Sequence, residues 1–131
     1  MPTTTKDRSC KARIAAHLKD RMEDLRRFIG AEDDATAEEF SNYGLSFDYV
    51  EPGTFEDQEE GYFRYQLSWG GPSDEFRFYT GPEFRPHRIE YCFLDWFDGA
   101  SITLSGDDKA VLSAVFDQFD AEGAYRKARQ D

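Results

Sequence analysis

Residues 61–80 read GYFRYQLSWGGPSDEFRFYT, and the two-residue period on either side of Gly70-Gly71-Pro72-Ser73 decides the fold class. Successive side chains of a strand project to opposite faces, so apolar–polar alternation marks a strand with one covered face. In residues 61–69, Phe63, Tyr65, Leu67 and Trp69 project one way and Tyr62, Arg64, Gln66 and Ser68 the other. From Asp74 to Thr80 the pattern resumes, with Phe76 and Phe78 opposed to Glu75, Arg77 and Tyr79. Two such runs joined by a Gly/Pro turn predict an antiparallel pair.

The same period extends in both directions. Leu45, Phe47 and Tyr49 alternate with Ser46, Asp48 and Val50 before Pro52-Gly53. Residues 87–97 form the longest strand, with Ile89, Tyr91, Phe93 and Phe97 on one face and Glu90, Cys92, Leu94 and Trp96 on the other. Asp98-Gly99 reads as a hairpin turn leading into a short strand at residues 100–104.

Beyond the strands the apolar residues recur at three and four. Ile14, Leu18, Met22, Leu25 and Ile29 predict a helix over residues 7–29, ended by Gly30. Arg13, Lys19, Arg21, Arg26 and Arg27 fall on its other faces. They read as a solvated face partly paired with Asp20, Glu23 and Asp24; the second arrangement packs this basic helix near an acidic sheet. Thr36-Ala37-Glu38-Glu39 fits a capping box, in which the Thr36 hydroxyl takes the Glu39 amide, and predicts a short helix through Tyr43. Ser105 caps a last helix with Asp107 and Asp108 at its start and Val111, Leu112, Val115, Phe116 and Phe119 as its stripe. Helices, then strands, then a helix imply one α+β domain over residues 1–131, with residues 1–6 a tail. Its antiparallel sheet of four to five strands is covered by the N- and C-terminal helices.

Charge is distributed unevenly over this plan. Residues 31–105 hold seventeen of the 27 acidic residues against only Arg64, Arg77, Arg85 and Arg88. Aromatic content of 16% argues against a disordered acidic tail. A net charge of -11 opposes direct binding to a nucleic-acid backbone, even though aromatic strands such as Tyr62-Phe63-Arg64-Tyr65 have the residue types on which bases stack. No apolar run approaches the roughly 18 residues that span a bilayer, and the absence of a signal-like N-terminus reads as cytoplasmic. Cys92 reads as an apolar filler within its strand and Cys10 as exposed, with no disulfide expected between them.

Little in the pattern points to catalysis. Asp95 and Asp98 are the best acidic pair and His87 the one histidine among the strands, but no nucleophile–base order, phosphate loop or metal-ligand spacing accompanies them. Asp95 and Asp98 read as organisers of a strand end, and Asp107 and Asp108 as helix-start residues. The expectation is a non-enzyme without cofactor or metal. Partner binding fits the charge better. Doublets at Glu38/Glu39, Glu56/Asp57, Glu59/Glu60 and Asp74/Glu75 recur at loops and strand ends. Carboxylates two residues apart on a strand project about 6.6–7 Å apart, close to the spacing of successive phosphates.

Residues 43–50 (YGLSFDYV), 61–73 (GYFRYQLSWGGPS) and 94–99 (LDWFDG) resemble a family of small acidic proteins of bacterial plasmids and integrative elements found near antirestriction genes. The similarity spans residues 43–110 and implies defence evasion, as an anti-CRISPR or antirestriction protein; it supplies no catalytic residues. The expected function is a non-enzymatic inhibitor whose DNA-mimicking surface (Glu38, Glu39, Glu56, Asp57, Glu59, Glu60, Asp74 and Glu75) blocks a basic nucleic-acid-binding complex of a bacterial defence system. The alternative is an adaptor that binds protein through exposed Tyr62, Tyr79 and Trp96, with acidity serving only solubility.

Overall fold

Alternation in residues 62–79 builds the middle of the sheet. A computed structural model describes residues 9–56, 58–70, 72–80, 86–95 and 98–121. The expected tail at residues 1–6, and the expected positions of Asp57, Trp96 and Phe97, lie outside them. Strands β1 (Ser46–Val50), β2 (Tyr62–Ser68), β3 (Ser73–Tyr79), β4 (Arg88–Asp95) and β5 (Asp98–Thr103) pair in that order, each antiparallel to the next. Helices α1 (Cys10–Gly30) and α3 (Gly106–Ala121) flank the strands in sequence, and α2 (Asp34–Ser41) precedes β1. The fold is α+β with a five-stranded antiparallel meander.

Parity decides which face each strand residue takes. Phe63, Tyr65 and Leu67 of β2, Phe76 and Phe78 of β3, and Ile89, Tyr91 and Phe93 of β4 all join the core beneath the helices. Leu112, Val115 and Phe116 of α3 close over them, and Phe47 of β1 stacks on Phe63 at 5.6 Å and on Phe119 at 4.4 Å. Each fully buried Phe is worth roughly 1.5–3 kcal/mol of transfer free energy, which is why a sheet this aromatic needs only one covered face. Leu45 and Trp69, expected on the covered side, lie just outside β1 and β2 and are 61% and 78% exposed. Strand parity no longer governs a side chain once the ladder ends.

Helix α1 crosses β4 and β5 and packs against α2 and α3. Its buried stripe is Cys10, Ile14, Leu18, Met22, Leu25 and Phe28. Cys10 is therefore buried, not exposed: it sits four residues before Ile14 on the same face. Phe28 replaces Ile29 at the other end, because its ring meets Phe40 at 5.6 Å and Tyr43 at 5.0 Å. Both cysteines are free, and burial pushes the Cys92 thiol up to about 12.

Local capping differs from the sequence expectation in two places. Asp33, not Thr36, caps α2: its Oδ2 accepts from the Thr36 amide at 2.9 Å and the Thr36 hydroxyl at 2.8 Å. An ionised carboxylate three residues earlier outcompetes the hydroxyl as acceptor. Asp98-Gly99 does not form a hairpin turn either. Both residues belong to β5, with Asp98 opposite Asp95 and Gly99 opposite Leu94, so the chain reverses before Asp98.

Candidate functional site

Seven of the eight carboxylates expected to face a partner are among the described residues, and they separate into three groups. Asp74 and Glu75 are buried, at 3% exposure each. Asp74 shares parity with Phe76 and Phe78, which directs it to the helix-covered side. There its carboxylate accepts from Arg21 of α1 (2.7 and 2.9 Å), Ser68 (2.5 Å) and the Tyr91 hydroxyl (2.6 Å). Burial alone would raise its pKa; the hydrogen bonds from Arg21, Ser68 and Tyr91 outweigh burial and hold it below the ordinary carboxylate value. The Arg21 fork also donates to the Tyr43 hydroxyl (3.1 Å), which donates in turn to Asp24 (2.6 Å). Glu75 lies on the opposite face, where its Oε2 accepts from Arg77 Nε at 2.7 Å. At 3% exposure, neither presents its carboxylate at the surface.

Glu39 and Glu60 form a second group, partly exposed but paired. Glu39 accepts two bonds from Arg27 of α1, at 3.0 and 3.2 Å. Glu60 meets His87 at 2.6 Å and Arg88 at 3.3 Å. The third group is exposed, and no described cation pairs with it: Glu38 on α2, and Glu56 and Glu59 in the β1–β2 loop, joined there by Glu51. Asp57 lies outside the described residues.

Gln58, which no sequence pattern singles out, organises that loop. Its side chain donates to the carbonyls of Glu51 and Glu60, both at 3.0 Å, and accepts from the Phe55 amide at 3.0 Å, while its carbonyl takes the Gly53 amide at 2.9 Å. Gly53 adopts φ +81°, a left-handed conformation that glycine takes without strain. The glutamates thus stand on a braced loop. β1 itself, at about 3.3 Å per residue, spans roughly 13 Å from Ser46 to Val50.

The arginines of α1 show why acidity on the covered side is invisible from outside. Arg13 pairs with Asp95, Arg21 with Asp74, Arg26 with Asp107 and Asp108, and Arg27 with Glu39. The arrangement in which the basic helix neutralises part of the acidic sheet is the one found. Asp98 adds to it, accepting from the Cys10 amide at 2.7 Å. An anion thereby faces the start of a helix whose first turn has no acidic residue of its own. Asp95 and Asp98, the best acidic pair by sequence, are both directed at α1. Among the described residues, no group of three or more His, Cys, Asp and Glu is arranged to hold a metal ion.

The outer face of the sheet is not crowded with carboxylates. One row across the strands runs Asp48, Arg64, Arg77, Glu90, and beside it lie Glu75 and Arg88. Three cations balance three anions: Arg64 clamps Asp48 through two bonds at 2.7 and 3.1 Å, and Arg88 pairs with Glu90 at 3.2 Å. Tyr62 and Tyr79, the aromatics assigned to an adaptor surface, are 1% and 7% exposed and form a small cluster with Val50. Guanidinium groups cover both rings, Arg77 over Tyr62 at 4.8 Å and Arg88 over Tyr79 at 3.9 Å. Trp96, the third adaptor aromatic, lies outside the described residues. The large exposed aromatics of this region are instead Phe55 (52%) and Trp69.

Comparison with protein-family models, with curated proteins and with solved structures yielded no match to this chain. No helix among the described residues is long and apolar enough to cross a membrane.

Proposed function

We propose that the chain is a non-enzymatic inhibitor of a bacterial host-defence complex, of the anti-CRISPR or antirestriction kind, acting in the host cytoplasm. Its working surface consists of the exposed carboxylates at the two ends of β1: Glu38 on one side, and Glu51, Glu56 and Glu59 on the other. They occupy a Lys/Arg surface of the target that otherwise receives nucleic-acid phosphate, and their field speeds encounter. One observation carries this reading: these glutamates have no described cation partner, while four arginines of α1 are already engaged by other carboxylates. The defence setting is carried by the sequence resemblance of residues 43–110.

The test uses a host strain whose defence system attacks a targeted plasmid. Expression of the chain is expected to raise transformation by that plasmid, and the variant Glu38→Lys/Glu56→Lys/Glu59→Lys is expected to lose the effect with an unchanged melting temperature. Binding to the isolated target weakens as salt rises from about 0.05 to 0.5 M, because exposed charge pairs are screened. Full protection by the triple variant would overturn the surface assignment.

A further inference from the structure

We propose that the outer face of the sheet carries a binding groove for a small aromatic anion: a flat apolar body bearing one carboxylate or phosphate group. The groove encloses about 530 Å³, within the range of about 300–1,000 Å³ typical of small-molecule sites. It adjoins the acidic surface proposed above, sharing Glu56 with it, but rests on different residues at its floor.

The chemistry of the groove follows from its floor. Arg64 and Arg77 face each other across β2 and β3 as register partners. Like charges directly opposite in a sheet repel. Asp48 engages Nε and Nη2 of Arg64 from one side, and Glu75 engages Nε of Arg77. Nη1 of Arg64 has no described partner, so donor capacity remains between the two guanidinium groups. An anion placed there gains charge-assisted hydrogen bonds from the donors that Asp48 and Glu75 leave free.

Tyr62 is the second, independent observation. It lines the same groove, is 1% exposed, and its buried hydroxyl has no hydrogen-bond partner among the described residues. A buried hydroxyl left unpaired is costly. A shift of the Arg77 guanidinium that covers the ring opens this hydroxyl to an acceptor oxygen from the groove, which removes that cost. Two arginine forks and a phenol are all donors at this floor, which selects an anionic oxygen over an amine or an amide N–H. Glu56 on the wall and the buried Glu75 offset the two guanidinium groups, so the ligand is held by directed donors and not by excess positive charge.

The walls select the body of the ligand. Phe55 from the β1–β2 loop and Trp69 beyond β2 line the groove, and Leu94 of β4 adds a third partly exposed apolar side chain. Together they form an exposed apolar patch beside the guanidinium groups, and flat rings stack on Trp and Phe.

The experiment titrates the full chain with benzoate, phenyl phosphate, benzyl alcohol and inorganic phosphate, followed by calorimetry and amide chemical shifts. Benzoate or phenyl phosphate, or both, are expected to saturate one site, and the tighter of the two identifies the natural head group. Benzyl alcohol and inorganic phosphate, each lacking half of the recognition, bind at least about tenfold more weakly. Trp69→Ala and Tyr62→Phe each weaken the aromatic anion by about five- to tenfold, Trp69→Ala without a change in melting temperature. Arg77→Lys, which keeps the charge but loses the fork, weakens it likewise. Glu38→Lys/Glu59→Lys leaves the titration unchanged, separating this site from the acidic surface. The proposal is overturned if neither aromatic anion saturates, if inorganic phosphate binds as tightly, or if Trp69→Ala and Tyr62→Phe bind like the parent.

Discussion

Two acidic doublets that look alike in sequence, Asp74/Glu75 and Glu59/Glu60, meet opposite fates in the fold. The first begins β3, so strand parity sends Asp74 to the helices and Glu75 to the outer face, and each is buried against an arginine. The second lies in a loop braced by Gln58, where Glu59 stays in solvent and Glu60 is held only at the rim by His87 and Arg88. A carboxylate's role in this protein follows from the element that carries it, not from the local density of negative charge.

The largest expected effect breaks the buried half of that comparison. Asp74→Ala leaves Arg21 and the Tyr91 hydroxyl unpaired beneath α1 and is expected to cost about 3–5 kcal/mol, read from chemical denaturation. An effect below about 1 kcal/mol would show that the Asp74 network is dispensable. Glu75→Ala leaves Arg77 over Tyr62 without its anion and is expected to cost about 1–3 kcal/mol in the same measurement.

Acid sharpens the distinction. The Asp74 carboxyl is held below its ordinary value, so the folded state binds a proton there less readily than the unfolded chain does. Its contribution to stability is complete above the unfolded value of about 3.9 and disappears as pH falls through the lower folded value. An Asp74→Asn chain, already destabilised, is therefore expected to lose less stability than the parent between pH 5 and pH 2, as estimated from that window. Equal acid sensitivity of the two chains would contradict the assignment. At the small end, Glu56→Gln and Glu59→Gln are expected to change stability by less than about 0.5 kcal/mol, since both side chains are exposed and unpaired.

Much of the fold was legible in the sequence, because its signals are local. The alternations at Phe63/Tyr65/Leu67 and Phe76/Phe78 and the stripe Val111–Leu112–Val115–Phe116 each reproduce the covered face. Asp74 was legible too: its parity with Phe76 already placed it among core residues, and only its charge disguised this. The charge partnerships were not legible. Arg21 and Asp74 are 53 residues apart and Arg13 and Asp95 are 82 apart, so no periodicity links them. The pairing of Arg64 with Arg77 across the outer face likewise depends on register, which shifts at the irregularity between Gln66 and Ser68. Capping by Asp33 over Thr36 turned on a competition between two acceptors three residues apart, and the burial of Cys10 on where α1 begins.

The most direct measurement sets two double variants, Asp74→Asn/Glu75→Gln and Glu56→Gln/Glu59→Gln, side by side in thermal melting and in salt-dependent binding to a basic nucleic-acid-binding target. The first pair is expected to lower the melting temperature while the folded fraction still binds. The second is expected to melt like the parent and to lose binding at low salt. Binding loss confined to the Asp74/Glu75 variant, with Glu56→Gln/Glu59→Gln binding like the parent, would contradict the division of carboxylates into those that hold the fold and those that meet a partner.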